Sequence, residues 1–551
     1  MARRAADILS EAQQIASLWA GRHQMMAKWY DLIRLRNDLA QPNMESVIAA
    51  DPRTGFNMAR WLLTPKTPVF NVDVSALTEA QAREVGPIER YCDQRLADVQ
   101  KRTRTHPHGQ FLSRLVAQMV ATGWYSVISF PLDEGWVMGA WNPAGVFPDY
   151  AGDDSGSLLR LARIYTCSGY EANRKIEREG WLKPSRPFGR TNHRVTVLWK
   201  VASDSTVSLE VVIGNHLALP ETLYDLDRIP VFVGPVAGLP DDGTLMGELW
   251  RSEIGQSVVA PIMDVQKNFD KMLTYVQQLV RDTANPRIVE HVRGQRRVVT
   301  EATWYSRGAF YSLEPDESIE VLAPPLLPPE LRTHLFDLRG QTQRGLFSDI
   351  TFGNLQQRIS ALLMSQVTAA AQQVLSPFAD GIKALLSDIA TTNIHWMRAW
   401  RLPIPGATPL SLPDDLDIEF KYDIEIPGDF IQRASIAKIL NPDFKLSEAT
   451  LMDIMFPEVQ NAMLEKGRIR SEDAQRSPVF RQVVLLQNLR LAAAEARDSG
   501  DAVFAQLLDR AAAQAEAMTF EGAEPGTSPG FNPPPSAMPT EVQELMTGGG
   551  P

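Results

Sequence analysis

A chain of 551 residues, 44% of them hydrophobic, can bury a large core; the length suggests two to four domains, and the composition excludes a disordered protein. A formal net charge of -11 argues against a protein whose main task is gripping nucleic-acid phosphates through clustered Lys and Arg. Two cysteines, Cys92 and Cys167, exclude a disulfide scaffold and a CxxC metal cluster, which suits a reducing interior such as a bacterial cytoplasm.

The opening "MARRAADILSEAQQIASLWAGRHQ" carries two arginines but no continuous apolar run, so no signal peptide is expected. Residues 5–40 read as helix, with Ile8, Ile15, Leu18, Met25, Met26 and Trp29 recurring near the helical period. A second helical stretch spans 77–122, its later part striped by Leu112, Leu115, Val116, Met119 and Val120. From Tyr125 to Val236 the texture changes to short alternating runs broken by Gly, Pro, Asp and Asn. That pattern predicts a mostly antiparallel sheet, interrupted by one helix with Ser168 as N-cap ahead of Glu171. The fold class is α+β, predominantly helical.

A long amphipathic helix is expected from near Gly247, with Ile254, Val258, Ile262, Val265, Phe269, Met272, Val276 and Leu279 stepping by threes and fours and Pro261 as a kink. Asn285-Pro286 ends it. Four short strand-like runs follow, up to the proline cluster at Pro324, Pro325, Pro328 and Pro329, so 286–327 is a small β module. A helix from Pro329 to Phe347 returns the chain. Residues 348–360 are a polar loop with a Gly353-Asn354 turn. A very long helix then runs from Ser360 to Trp400, with Ile359, Leu363, Val367, Ala370, Val374, Phe378, Ile382, Leu385 and Ile389 on one face and Pro377 as a bend. Its first part, 360–379, is uncharged but too polar for hydrocarbon, so no membrane association is expected. "LDIEFKYDIEIP" alternates as a strand that should rejoin the earlier sheet, further helices follow, and from Glu521 the composition predicts a disordered tail.

No phosphate-cradling loop, GxSxG, HExxH or EF-hand sequence is present, so no catalytic residue, metal site or cofactor is expected and the chain is not read as an enzyme. His106-Pro107-His108 lacks an acidic or Cys partner, and Asp241-Asp242-Gly243 and Asp414, Asp415 and Asp417 sit in turns. The basic runs "KRTRTH" at 101–106 and "RGQRR" at 293–297 are solvated loops or partner-facing patches.

The order of elements carries more. "WNPAGVFPDY", "APIMDVQKNFDKMLTYVQQLVRDTANPRIV", "GAFYSLEPDESIEVLAPP" and "ISALLMSQVTAAAQQVLSPFADGIKALLSDI" stand in a sequence that resembles the portal proteins (head-to-tail connectors) of tailed double-stranded DNA bacteriophages. The resemblance rests on order and texture over residues 5–515. It implies a wing at 1–246, a first stem helix at 247–282, a clip at 283–327, a second stem helix at 328–347, a tunnel loop at 348–359, a long wing helix and returning strand at 360–427, crown-like helices at 428–518 and a tail at 519–551. It further implies a virion protein, assembled in the host cytoplasm as a twelve-membered homo-oligomeric ring at one capsid vertex. Double-stranded DNA would pass through its channel. The terminase large subunit, then adaptor or tail proteins, would dock on it, and major capsid and scaffolding proteins would surround it. Under that resemblance Thr351, Asn354, Gln356, Gln357 and Arg358 are candidates for the channel constriction, and Arg293, Arg296, Arg297, Tyr305, Phe310 and Tyr311 for clip contacts. A non-ring helical adaptor or scaffold-type assembly protein, and a DNA-packaging enzyme, are the competing readings.

Overall fold

The computed structural model describes residues 3–36, 46–65, 68–72, 79–132, 135–151, 156–203, 205–239, 253–284, 288–294, 297–300, 304, 306, 310–322, 329–346, 361–405, 416–422, 467–471, 478–498 and 502–520. The chain divides into two units, Met1–Ser435 and Ile436–Pro551.

In the first unit, α1 (Ala5–Ser17) and α2 (Ala20–Ile33) fill the stretch expected as one helix. The break falls at Leu18 and Trp19, where the Trp19 indole N–H donates to the carbonyl of Pro148 at 2.7 Å. Next come α3 (Asp51–Leu63), β1 (Val69–Val72), α4 (Glu79–Arg102) and α5 (Phe111–Thr122). The β-rich region holds β2 (Trp124–Leu132), β3 (Gly135–Ala140), β4 (Val146–Tyr150), β5 (Leu158–Ser168), β6 (Asn192–Ser203), β7 (Thr206–Ile213), β8 (His216–Asp225) and β9 (Val231–Pro235). Between β5 and β6 lies α6 (Gly169–Glu179), opened by the expected capping box: the Ser168 hydroxyl accepts from Glu171 N, and the Glu171 carboxylate accepts from Ser168 N at 3.0 Å. After these come α7 (Met263–Ala284), β10 (Ile288–His291), β11 (Ser318–Val321), α8 (Pro329–Gly345), α9 (Ala361–Ala399) and β12 (Ile418–Lys421).

Every ladder among the described residues is antiparallel: a three-stranded sheet ordered β3-β2-β9, a five-stranded sheet ordered β4-β5-β6-β7-β8, and the pairs β1-β12 and β10-β11. The structure is therefore α+β. α9 crosses β2 and β12 and packs on α3 and α5. Its Leu375, Phe378, Ile382, Leu386 and Ile389 join Leu112, Leu115, Met119 and Trp124 in the main core. Within that core Arg22 is fully buried, its guanidinium between the rings of Trp19 and Trp124 at 4.5 Å from each centroid. Burial pulls its pKa down to about 9.

α1 lies on the five-stranded sheet through charge rather than apolar contact alone. Glu11 accepts from Arg3, from Arg160 at 3.2 Å and from Lys200 at 2.7 Å, while Arg3 also reaches the buried Glu210 at 2.6 Å. Burial opposes the Glu11 charge, but the donors from Lys200, Arg3 and Arg160 outweigh it and bring its carboxyl down to about 2.

β1 has β12 on one edge and α4 on the other. Asp93 and Glu89, one helical turn apart, accept from Phe70 N and Val72 N, both at 3.0 Å. Four helical residues rise about 6 Å and two strand residues about 6.8 Å, so an i, i+4 pair of carboxylates matches alternate strand amides. Burial lifts Asp93 to about 6 against the lowering bond from Phe70 N, with Glu89 adding repulsion. A carboxyl raised in the folded state contributes stability that is complete below its unfolded pKa of about 4 and is lost as pH rises through about 6. Asp93→Asn keeps an acceptor for Phe70 N without the charge. It is expected to gain about 1–2 kcal/mol at neutral pH, allowing for partial solvent screening, and to flatten the stability profile between about pH 4 and 6. Urea unfolding across that range is the check.

Four expectations are corrected. Residues 254–262 are not α-helical, so the helix expected to run without a break from near Gly247 is interrupted there and α7 begins at Met263; Gly255 and Pro261 and a backbone crossing described below account for this. β12 does not rejoin the larger sheets but pairs with β1. In α9, Val374 is exposed and Leu375 takes the buried position, one residue round the helix. In the β module, the described residues 297–300 and 310–313 form no strand.

In the second unit, α10 (Pro478–Asp498) and α11 (Ala502–Phe520) pack together. Where burial is described, their buried residues are alanines, Ala493, Ala496, Ala505 and Ala512, which let the backbones approach closely, and Arg497 pairs with Asp509. The residues expected as the earlier crown-like helices fall mostly in 423–466, and the tail after Glu521 likewise lies outside the described residues.

Candidate functional site

The out-and-back excursion of α7, β10, β11 and α8 starts at a crowded crossing. α5 ends on Gly123, in the left-handed region at φ +68°, and Val236 N donates to Gly123 O at 2.7 Å. The chain entering α7 runs across this point: Gln256 N donates to Val236 O at 3.1 Å, Val258 N to Val120 O at 3.1 Å, and the Ser257 hydroxyl to Val120 O at 2.9 Å. A Cβ on Gly123 would strike the backbone of Gln256, and one on Gly255 would strike Gly123 O and the Trp124 indole. Glycine is needed here because two backbones touch.

From this crossing α7 extends for 22 residues, about 33 Å at about 1.5 Å per residue. It packs on α8, which ends where Gly345 meets Ile262 and the buried Leu346 fills the space left open by Gly55 of α3. Both ends of the excursion are thus fixed to the body. A strap formed by residues 46–50 adds a second tie: Ala49 N donates to Asp270 Oδ1 at 3.0 Å, Gln266 Nε2 to the same oxygen at 2.9 Å, and Val47 N to Thr274 Oγ1 at 3.0 Å. Gln266, Asp270 and Thr274 are buried, so Asp270 does not face solvent alongside the exposed Asp264, Lys267, Lys271 and Arg281.

At the far end β10 and β11 pair from Ile288↔Val321 to His291↔Ser318. Carboxylates stand in for further strands. Glu290 accepts from Val298 N at 3.1 Å and Val299 N at 2.7 Å; Glu317 accepts from Arg293 N at 3.3 Å and Glu314 N at 3.0 Å. At Val298 and Val299 the Glu290 carboxylate thus satisfies amides that the alternating sequence pattern assigns to a ladder.

Of the residues singled out in the sequence, Arg293 and Arg297 are exposed, with Arg293 paired to Asp316 at 3.2 Å. Phe310 is 99% exposed, so it fills no module core within this chain, and Tyr311 is half-buried. Arg296 and Tyr305, and the loop candidates Thr351, Asn354, Gln356, Gln357 and Arg358, lie outside the described residues. The excursion exposes apolar side chains along its length: Tyr275 and Val280 on α7, Phe336 on α8, and Phe310, Leu313, Val321 and Leu322 in the segment between them. Such surface on one element marks an interaction face.

Elsewhere a cleft of about 580 Å³ is lined by Tyr125, Tyr150, Asp227, Arg228 and Asp388. Its charges are engaged: Arg228 grips both Asp388 oxygens at 2.6 and 2.7 Å, and Asp227 accepts from the Trp396 indole at 2.6 Å. Burial pushes the Tyr125 phenol up to about 12, so it supplies no base near neutral pH. Among the described residues no group of three or more His, Cys, Asp or Glu side chains is arranged to hold a metal ion.

Among the solved structures similar to this chain are two that cover most of its length. The neck of an empty GTA particle computed with C6 symmetry matches at 10% identity and a TM-score of 0.40, covering 74% of this chain and 90% of that one. The neck of a native GTA particle computed with C12 symmetry matches at 10% identity and a TM-score of 0.36, covering 73% and 99%. Likenesses at this level carry no argument for mechanism. No family model and no curated protein matches.

The strap and the paired carboxylates were missed by sequence reasoning. Asp270 and Thr274 stand at i, i+4 on the polar side of an amphipathic pattern, where they look like solvent-facing residues; spacing alone does not reveal the extended segment they hold. Among the described residues no helix is long and apolar enough to cross a membrane.

Proposed function

We propose that this chain is the subunit of a portal-type ring, a head-to-tail connector through which double-stranded DNA is packaged and ejected. In this reading α7 and α8 line the channel wall, the β10-β11 module is the clip that meets the terminase large subunit and then adaptor or tail proteins, and 348–359 is the tunnel loop with Thr351, Asn354, Gln356, Gln357 and Arg358 at the constriction. The body contacts major capsid and scaffolding proteins, and the protein does no covalent chemistry.

The observation that carries the reading is the excursion itself. A pair of helices anchored at both ends to an α+β body exposes Tyr275, Val280 and Phe336, and the segment between them exposes Phe310, in a single chain. Copies related by rotation cover such faces, and a head-to-tail contact closes into a ring when its rotation divides the circle. The net charge of -11 suits a conduit, since strong phosphate contacts along a channel would brake a sliding duplex. Native mass spectrometry with negative-stain images tests it. The expected result is a particle of twelve times 61.3 kDa with an axial hole. A mass that stays at one chain at every concentration argues for the non-ring adaptor.

A further inference from the structure

Residues 99–132 contain no Asp or Glu, in a chain that is acidic overall. Lys101, Arg102, Arg104 and Arg114 fall in this run together with His106 and His108. The fold gathers most of them around the turn between α4 and α5 and adds Arg60 from α3. Arg60 reaches Ser113 Oγ at 2.8 Å and lies beside Gly109, and Arg114 Nη1 stands 3.2 Å from His106 Nε2, whose ring centroid is 5.5 Å from that of His108. Lys101, Arg104, His106 and His108 are exposed.

We propose that this turn is a docking site for the phosphate backbone of double-stranded DNA, separate from the channel. The first support is that none of its cations has a carboxylate partner among the described residues. Arg60 donates to a hydroxyl, Arg102 to the Trp136 and Asp98 carbonyls, and Arg114 to the Ala140 carbonyl; no ion pair involves any of the cluster's cations among the described residues. Lys101 and Arg104 make no side-chain hydrogen bond among those residues.

The second support is what the patch lacks. Within 101–114 no large apolar side chain is exposed, and Trp61, next to Arg60, is the exposed aromatic nearest in sequence among the described residues. Protein interfaces are built on buried aromatic and aliphatic anchors with charge at the rim, whereas phosphate contacts draw on Arg, Lys and hydroxyl groups without an apolar centre. Thr105, exposed between Arg104 and His106, supplies such a hydroxyl.

The third is the state of His106. Burial, then the charges of Arg114 and His108, lower its pKa, so a proton on this ring is disfavoured in the free protein. An approaching phosphate reverses that balance and draws a proton onto the ring, which makes docking stronger at mildly acidic pH.

The test is fluorescence anisotropy of a short, labelled, random-sequence duplex with the full chain. Lys101→Glu with Arg104→Glu is expected to weaken binding at least about tenfold at about 50 mM salt and to reduce the salt slope by about 2. Arg186→Glu with Arg190→Glu makes the same charge change on another exposed loop and is expected to weaken it less than about threefold. The His106 pKa, followed by NMR, is expected to rise when duplex is added. Equal losses in the two double variants, an unmoved His106, or binding of charge-matched polyglutamate as tight as that of the duplex would each overturn the assignment. Ring formation is scored separately by mass, so failure here leaves the conduit reading standing and failure there leaves this site standing.

Discussion

Gly123→Ala is expected to cost at least about 3 kcal/mol of stability, while Gly180→Ala costs about 1 kcal/mol, although the two glycines have nearly the same backbone conformation. Gly123 sits at φ +68° and Gly180 at φ +67°, each as the left-handed cap of a helix, so the intrinsic strain of adding a Cβ is common to both. Their surroundings differ. The new methyl at Gly180 meets nothing within 4 Å, whereas at Gly123 it meets the backbone N, C and O of Gln256. That backbone cannot yield by a rotamer change. It must move as a segment, and its movement breaks the bonds from Gln256 N to Val236 O and from Val258 N and Ser257 Oγ to Val120 O. Urea denaturation gives the two costs, and hydrogen exchange at Gln256 and Val258 shows whether the crossing has opened. Equal costs would mean that the crossing is soft and does not set the start of α7.

The same crossing marks the limit of what the sequence discloses. Apolar periodicity locates α5, α7 and α9, and alternation locates β2 to β9, because those patterns record which face is buried and burial dominates folding. Long-range partners leave no such trace. β12 alternates cleanly, yet nothing in its residues states that Phe420 lies opposite Phe70 rather than in the five-stranded sheet. Periodicity also overran at Ile254 and Val258, which keep the apolar spacing of α7 while their backbone is committed to the end of β9 and to α5. Of the candidate clip residues, Phe310 reads in the sequence as an aromatic on a short strand-like run, and only its near-complete exposure separates a surface position from a core one. The basic run at 101–106 is visible in the sequence, but the addition of Arg60 and the lack of carboxylate partners are tertiary facts.

A recurrent device ties those long-range pieces together, and it yields the second large expected effect. On α4, Asp93 and Glu89 hold alternate amides of β1; on α7, Asp270 and Thr274 hold alternate amides of the strap, Ala49 and Val47, with the extended chain antiparallel to the helix in both cases. Asp270→Ala leaves the Ala49 amide and the Gln266 side-chain amide buried without that acceptor, and is expected to cost about 2–4 kcal/mol. Thr274→Val removes only the hydroxyl that serves Val47 and is expected to cost about 1–2 kcal/mol. If the strap is held as a unit, releasing it at one point forfeits much of the other contact, so the double variant should fall short of the sum by about 1 kcal/mol or more. Exchange at the Val47 and Ala49 amides should accelerate together in either single variant. Additive costs with independent exchange would show two local hydrogen bonds rather than a strap. Coupling would show that the N-terminal region steadies the first turns of α7, the part of the excursion that any ring of these chains must hold at a fixed angle.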